Sequence, residues 1–166
     1  DSLGDPRFAA VREISSVPGF VDCGLPVNSG PMHYVFKTAL REMDEWIRGG
    51  DAPPAAPRLE LNDVGSDYIK DDSGNSTGGV RTPFTDAPSA ILTGTGNIGD
   101  GFCRLFGTTS LFSAEQMASR YVDEAGYVAA VAEATDAAVA AGFILPEDAE
   151  DIKAWAPEQW RTQVGE

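Results

Sequence analysis

His33 is the only histidine of the chain, so a serine–histidine–acid mechanism contained within it must take its general base from that residue. It stands in Asn28-Ser29-Gly30-Pro31-Met32-His33-Tyr34, in what reads as the first turn of a helix, on the face shared with Lys37, Arg41 and Asp44. Two roles fit this position: a base at the edge of a groove, or an ordinary residue at a helix start. A nucleophile for such a base is missing. No serine stands in G-x-S-x-G, the sequence that forms a sharp strand-to-helix elbow. Ser73 and Ser110 sit in turn-like surroundings with no adjacent base to activate them.

Other constellations carry less. Gly94-Thr95-Gly96-Asn97-Ile98-Gly99 matches the dinucleotide fingerprint G-x-G-x-x-G. That mechanism needs a strand before it and a helix after it in a βαβ unit. Asp100 and Gly101 follow instead, so the stretch reads as a glycine loop and no cofactor is expected. Asp71, Asp72 and Asn75 have oxygen ligands in close spacing but lack the closing bidentate glutamate of a calcium loop, so a hairpin turn accounts for them better. Asn75-Ser76-Thr77 is formally a glycosylation sequon. One histidine and two cysteines eighty positions apart lack metal-ligand spacing, and no metal is expected.

The cysteines themselves are informative. Cys23 and Cys103 each fall in a segment with little regular structure of its own, and pairing them would close a loop worth about 4–5 kcal/mol in the chain-entropy model. A disulfide is expected on that placement, with secretion or a periplasmic location favoured if it forms. The other reading is two buried thiols in a cytosolic protein.

The elements that would position these residues divide the chain into residues 1–50, a loop plus a core helix; 51–112, a proline linker, a β-hairpin and a glycine-rich loop; and 113–166, a helical region, all within one unit. Asp5-Pro6 reads as a helix start with Phe8, Val11 and Ile14 on its apolar face, broken by Val17-Pro18-Gly19. The best-specified helix runs from about Pro31 to Arg48, with a first-turn proline and Gly49-Gly50 as its stop. Phe36, Leu40, Met43 and Ile47 predict its buried stripe, flanked by Val35, Ala39 and Trp46. Lys37, Arg41, Asp44 and Arg48 predict its wet face.

The stretch from 51 to 57 is too rich in proline for helix or central strand. Arg58–Leu61 and Asp67–Lys70 alternate like a hairpin around the turn at 71–75. From Gly78 to Thr109 glycine and proline predict ordered loop. Ser113-Ala114-Glu115-Gln116 fits a capping box. A helix from Glu124 to Ala141 follows, facing a core with Tyr127, Val128, Val131, Ala138 and Val139. A last short helix opens at Pro146, carries Ile152 and Trp155, and stops before Pro157.

With 166 residues, 42% hydrophobic and 23% charged, the composition is that of a globular domain with its own core. A net charge of −14 argues against nucleic acid or an anionic membrane as partner. Residues 113–166 carry eleven acidic residues against three basic ones, a solubilising surface. No apolar run is long enough to span a bilayer. The chain starts at Asp1 rather than Met, as a processed or partial chain would.

Four motifs in this order carry a family resemblance: the Asn28-x-Gly30-Pro31 helix start, Trp46 before the proline linker, Gly79-Val80-Arg81-Thr82-Pro83, and Cys103-x-Leu105-Phe106-Gly107. Between Cys23 and Ala149 the chain resembles the C-terminal part of a family of large α/β-hydrolase-domain proteins. The resemblance implies an α/β-hydrolase-like C-terminal segment, mainly helices with a small β-hairpin and long glycine-rich loops. It also implies a serine carboxylic-ester hydrolase whose nucleophile, and the N-terminal hydrolase part that carries it, lie outside this chain. In that family the catalytic histidine precedes the Asn-x-Gly-Pro segment, which would place it at or before Asp1. This chain is then expected to complete the core and cover the pocket for a small-molecule ester, lined by the 28–34 segment and the 94–107 loop with Asn28, Gly30, Met32, Tyr34 and Phe102 foremost, and to be inactive alone. The alternative is a non-catalytic acidic interaction module, whose aromatic anchors Tyr127, Phe143, Trp155 and Trp160 would otherwise pack among the C-terminal helices.

Overall fold

A computed structural model describes residues 9–99 and 101–165. Three C-terminal helices hold the core: α3 (Ala114–Tyr121), α4 (Glu124–Ala140) and α5 (Pro146–Val164). Ser113 caps α3, accepting from the Gln116 N–H at 3.2 Å while the Gln116 side chain accepts from the Ser113 N–H at 2.8 Å. Asp123 caps α4 in the same manner, accepting from Gly126 N. Met117, Tyr127, Val131, Ala138, Ile144, Ile152, Ala156 and Trp160 are buried together. The Tyr127 ring meets Tyr121 edge-on at 4.9 Å and Trp160 at 6.1 Å. Tyr127 and Trp160 are therefore core residues, not anchors for an outside partner.

α5 runs on through Pro157, past the stop that the sequence predicts. An interior proline forfeits the bond to the carbonyl four residues earlier, at a cost of about 3 kcal/mol. The turns beyond it bury Gln159 and Trp160, and that tertiary burial overrides the local signal. Gln159 also holds the N-terminal chain, accepting from Val11 N at 2.9 Å and donating to Val11 O at 3.1 Å. Asp5, Pro6 and Phe8 of the expected first helix lie outside the described residues. Of the rest of that helix, Val11 is buried but Ile14 sits in non-helical chain. A small hairpin follows instead, β1 (Ser16–Val17) with β2 (Val21–Asp22), turned by Gly19 at φ +75°.

The stretch read as glycine-rich loop contains regular structure: a short α2 (Pro83–Asp86), then β3 (Ala90–Thr93) antiparallel to β4 (Thr108–Leu111), with a 3₁₀ helix Gly101–Leu105 between the strands. Gly107 makes the sharp return possible. Its φ is +60°, and a Cβ there would lie 1.9 Å from Thr93 O. The expected 58–70 hairpin is reduced to isolated bridges, Leu61 with Tyr68 and Lys70 with Ser76. It is laced by Ile69 N to Glu60 O and Thr77 N to Ile69 O, both 3.0 Å. Its turn closes on side chains. Asp71 Oδ1 accepts from Ser73 N and Asn75 N, and the buried Asn75 reaches β3, donating to Ala90 O at 3.0 Å and accepting from Leu92 N at 2.8 Å.

α1 (Met32–Ile47) has the expected bounds and the opposite orientation. Its buried residues are Tyr34 and Thr38, and Tyr34 stacks on Phe84 of α2 at 6.3 Å between centroids. Only the first half of the face expected to be wet lies on the start of α5, where Lys37 pairs with Asp148 and Arg41 with Glu147, while Asp44 and Arg48 stay exposed and pair with each other. The expected core stripe points outward: Phe36 is 62% exposed, Leu40 and Met43 46%, Ile47 77%. The acidic first turn of α5 draws the cationic side of α1 inward, and the apolar side is left uncovered.

These orientations predict opposite costs. In the isolated chain Leu40→Ala should change stability by no more than about 0.5 kcal/mol, whereas Tyr34→Ala should cost about 3–5 kcal/mol. Urea unfolding of both variants checks this, and comparable losses would mean that α1 is turned the other way.

Candidate functional site

The segment leading into α1 is fixed by polar side chains. Asn28 Nδ2 donates to Thr93 O at 2.8 Å, and its Oδ1 accepts from Gly30 N at 2.9 Å. Thr109 on β4 takes the Ser29 N–H at 2.8 Å and donates to Val27 O at 2.8 Å. Asn97, buried, donates to Leu25 O and Gly107 O at 3.1 and 2.7 Å, so the middle of the apparent dinucleotide fingerprint is a structural brace. Gly30 packs close to its neighbours, since a Cβ there would stand 2.9 Å from Leu92 Cδ1 and push that side chain aside. Cys23 and Cys103 form a disulfide, with Cα atoms 5.5 Å apart, that ties the 3₁₀ helix to β2.

These contacts frame a groove of about 410 Å³ lined by Asn28, Gly30, Pro31, Met32, Val35, Thr82, Phe84, Thr85, Leu92, Gly94, Leu105 and Phe106. Of the residues expected to line a pocket, Asn28, Gly30 and Met32 meet here. Tyr34 does not: at 0% exposure it belongs to the core. Phe102 is exposed on the 3₁₀ helix and is not among the lining residues, where Leu105 and Phe106 stand instead. Gly94, Leu105 and Phe106 come from the 94–107 loop expected at the pocket, whereas Phe84 and Leu92 had no periodic signal in sequence, because a glycine-rich segment gives no apolar spacing to count.

His33 also lies outside the lining. Its ring packs 4.0 Å from that of Tyr34. Its pKa is lowered from 6.5, first by burial and then by the Lys37 ammonium, against a smaller opposing pull from Asp148. A neutral imidazole can accept a proton, but the serines that sequence singles out do not supply its nucleophile. The Ser73 hydroxyl is committed to the Asp71 carboxylate, and Ser110 is one residue of β4. Burial, with the Asp151 and Asp148 charges, raises the Tyr34 pKa, so that phenol stays protonated. Among the described residues no group of three or more His, Cys, Asp or Glu is placed to hold a metal ion, and no helix is long and apolar enough to cross a membrane.

The family model described as the alpha/beta hydrolase domain matches residues 4–154. The chain belongs to that family. No curated protein and no solved structure matches. Among the described residues the chain folds into helices and two small antiparallel sheets.

Two measurements follow. Since folding lowers the His33 pKa, the unfolded chain binds the proton more readily. The His33 contribution is therefore complete above about pH 6.5 and is lost as pH falls toward the depressed folded value. His33→Gln should flatten stability against pH across that window, and an unchanged slope would remove His33 as its source. Thiol titration of the denatured, unreduced protein should find no free thiol, and reduction should lower stability by about 4–5 kcal/mol.

Proposed function

We propose that this chain forms part of a serine carboxylic-ester hydrolase, completing the core of a hydrolase part that carries the nucleophile and covering the pocket for a small-molecule ester. The observation that carries this reading is the outward apolar face of α1. Phe36, Leu40, Met43 and Ile47 form one continuous stripe on an otherwise strongly acidic chain. In α/β proteins such a helix face is covered by the central sheet. The sequence has no nucleophile elbow, so acyl transfer needs a serine and oxyanion donors from elsewhere. The Cys23–Cys103 disulfide supports an oxidising, secreted or periplasmic setting.

Fluorophosphonate labelling tests the reading. The isolated 166-residue chain should stay unlabelled and should not turn over p-nitrophenyl esters, whereas the assembled hydrolase should do both. A Leu40→Asp, Met43→Asp pair should leave the isolated chain folded and abolish assembly and turnover together. Stoichiometric labelling of the isolated chain would overturn the proposal. Assembly with a partner that never hydrolyses esters would favour the non-catalytic interaction module.

A further inference from the structure

We infer that the groove at the start of α1 binds the uncharged, apolar part of the substrate: an alkyl or aryl group that brings no hydrogen-bonding group of its own. The inference rests on the reading of the chain as part of an ester hydrolase and names the class of substrate for it.

Size and walls point the same way. At about 410 Å³ the groove falls within the range of small-molecule sites. Met32, Val35, Phe84, Leu92, Leu105 and Phe106 form its apolar walls, and among the described residues no charged side chain lines it. The Asn28 and Thr85 side chains at its edge are turned to the chain's own backbone. Both ends of the Asn28 amide are committed, to Thr93 O and Gly30 N. The Thr85 hydroxyl accepts from Thr82 N at 3.2 Å and donates to Thr82 O at 3.0 Å. A ligand carboxylate entering here would lose water without gaining a cationic partner among the described lining residues, which costs more than a neutral hydrogen bond returns. The net charge of −14 adds a repulsive field against anions.

Placement and rigidity support the same occupant. Met32 belongs both to the groove and to the exposed side of α1, so the groove opens along the edge of the face proposed to meet the rest of the hydrolase. Ligand sites concentrate at such seams. The wall carrying Leu105 and Phe106 follows directly on Cys103, which the disulfide holds to Cys23, and Asn28 N binds Phe106 O at 3.0 Å. A wall fixed before binding spares the ligand the cost of ordering it.

Calorimetric titration of the whole 166-residue chain with a series of 2-alkanones, uncharged and resistant to hydrolysis, tests this. Affinity should rise about fourfold per added methylene until the groove is filled, and alkanoates of equal length should bind at least about tenfold more weakly. Leu105→Glu, at a position 73% exposed and so safe for folding, should lower 2-alkanone affinity at least about tenfold. Val64→Glu, at an exposed position that is not among the groove's lining residues, should leave it unchanged. Equal binding of ketones and alkanoates, or no binding of either, would overturn the inference. So would loss of binding on Leu40→Asp with Leu105→Glu unaffected, which would put the probe on the outer face of α1. None of these readouts involves ester turnover, so a failed groove and a failed hydrolase reading are told apart.

Discussion

The contact between α1 and the first turn of α5 decides what this chain shows to its surroundings. Glu147 and Asp148 suit a helix N-terminus, where the backbone dipole favours negative charge. Asp148 is nearly buried there, its side chain 4% exposed, and a buried carboxylate without a cation would be strongly destabilising. Lys37 supplies that cation, and Arg41 one turn on pairs with Glu147. The two pairs fix the rotation of α1 about its own axis. With Tyr34 and Thr38 inward on the same side, the apolar stripe has only one direction left to face, and Met32 and Val35 at its head fall beside Leu92 and Phe84 to make the groove.

A second layer of order comes from buried amides and hydroxyls. Asn75 and Asn97 each span two segments with both ends of the side-chain amide, or with two donated bonds, and Thr109 joins β4 to the chain before α1. Such bonds add little each, about 1 kcal/mol net, but leaving one buried partner unmade costs more. That asymmetry gives a long irregular segment a single arrangement without extended sheet.

Local signals explain which elements were legible in the sequence. Pro31 and Gly49 bound α1, Ser113 and Gln116 open α3, and Gly142 ends the helix begun after Asp123; each is a cap whose chemistry is complete within a few residues. The outward turn of α1 was not legible, because an apolar stripe does not by itself say whether the same chain buries it. Pro157 misled for the complementary reason: the burial of Trp160 is invisible to a local rule. Between Gly78 and Thr109 the glycines do mark tight returns, as at Gly107, but the short strands they separate owe their pairing to register across the sheet. The residues at the groove separate in the same way. Asn28, Gly30 and Met32 could be found from the helix start and Leu105 and Phe106 from the glycine-rich loop, whereas Phe84 and Leu92 reach the groove through the packing of α2 and the register of β3.

The amide of Asn75 has a consequence for how the protein is made. Its Nδ2 donates both to Ser73 Oγ at 3.1 Å and to Ala90 O at 3.0 Å, so both of its hydrogens are engaged in a site with almost no solvent contact. A sugar attached to that nitrogen would replace one hydrogen and fill the space occupied by β3. Glycan transfer at the Asn75-Ser76-Thr77 sequon and closure of the turn onto the sheet are mutually exclusive. In a host that glycosylates nascent chains, the outcome depends on which happens first, and a chain modified at this point loses the brace between its turn and its strand.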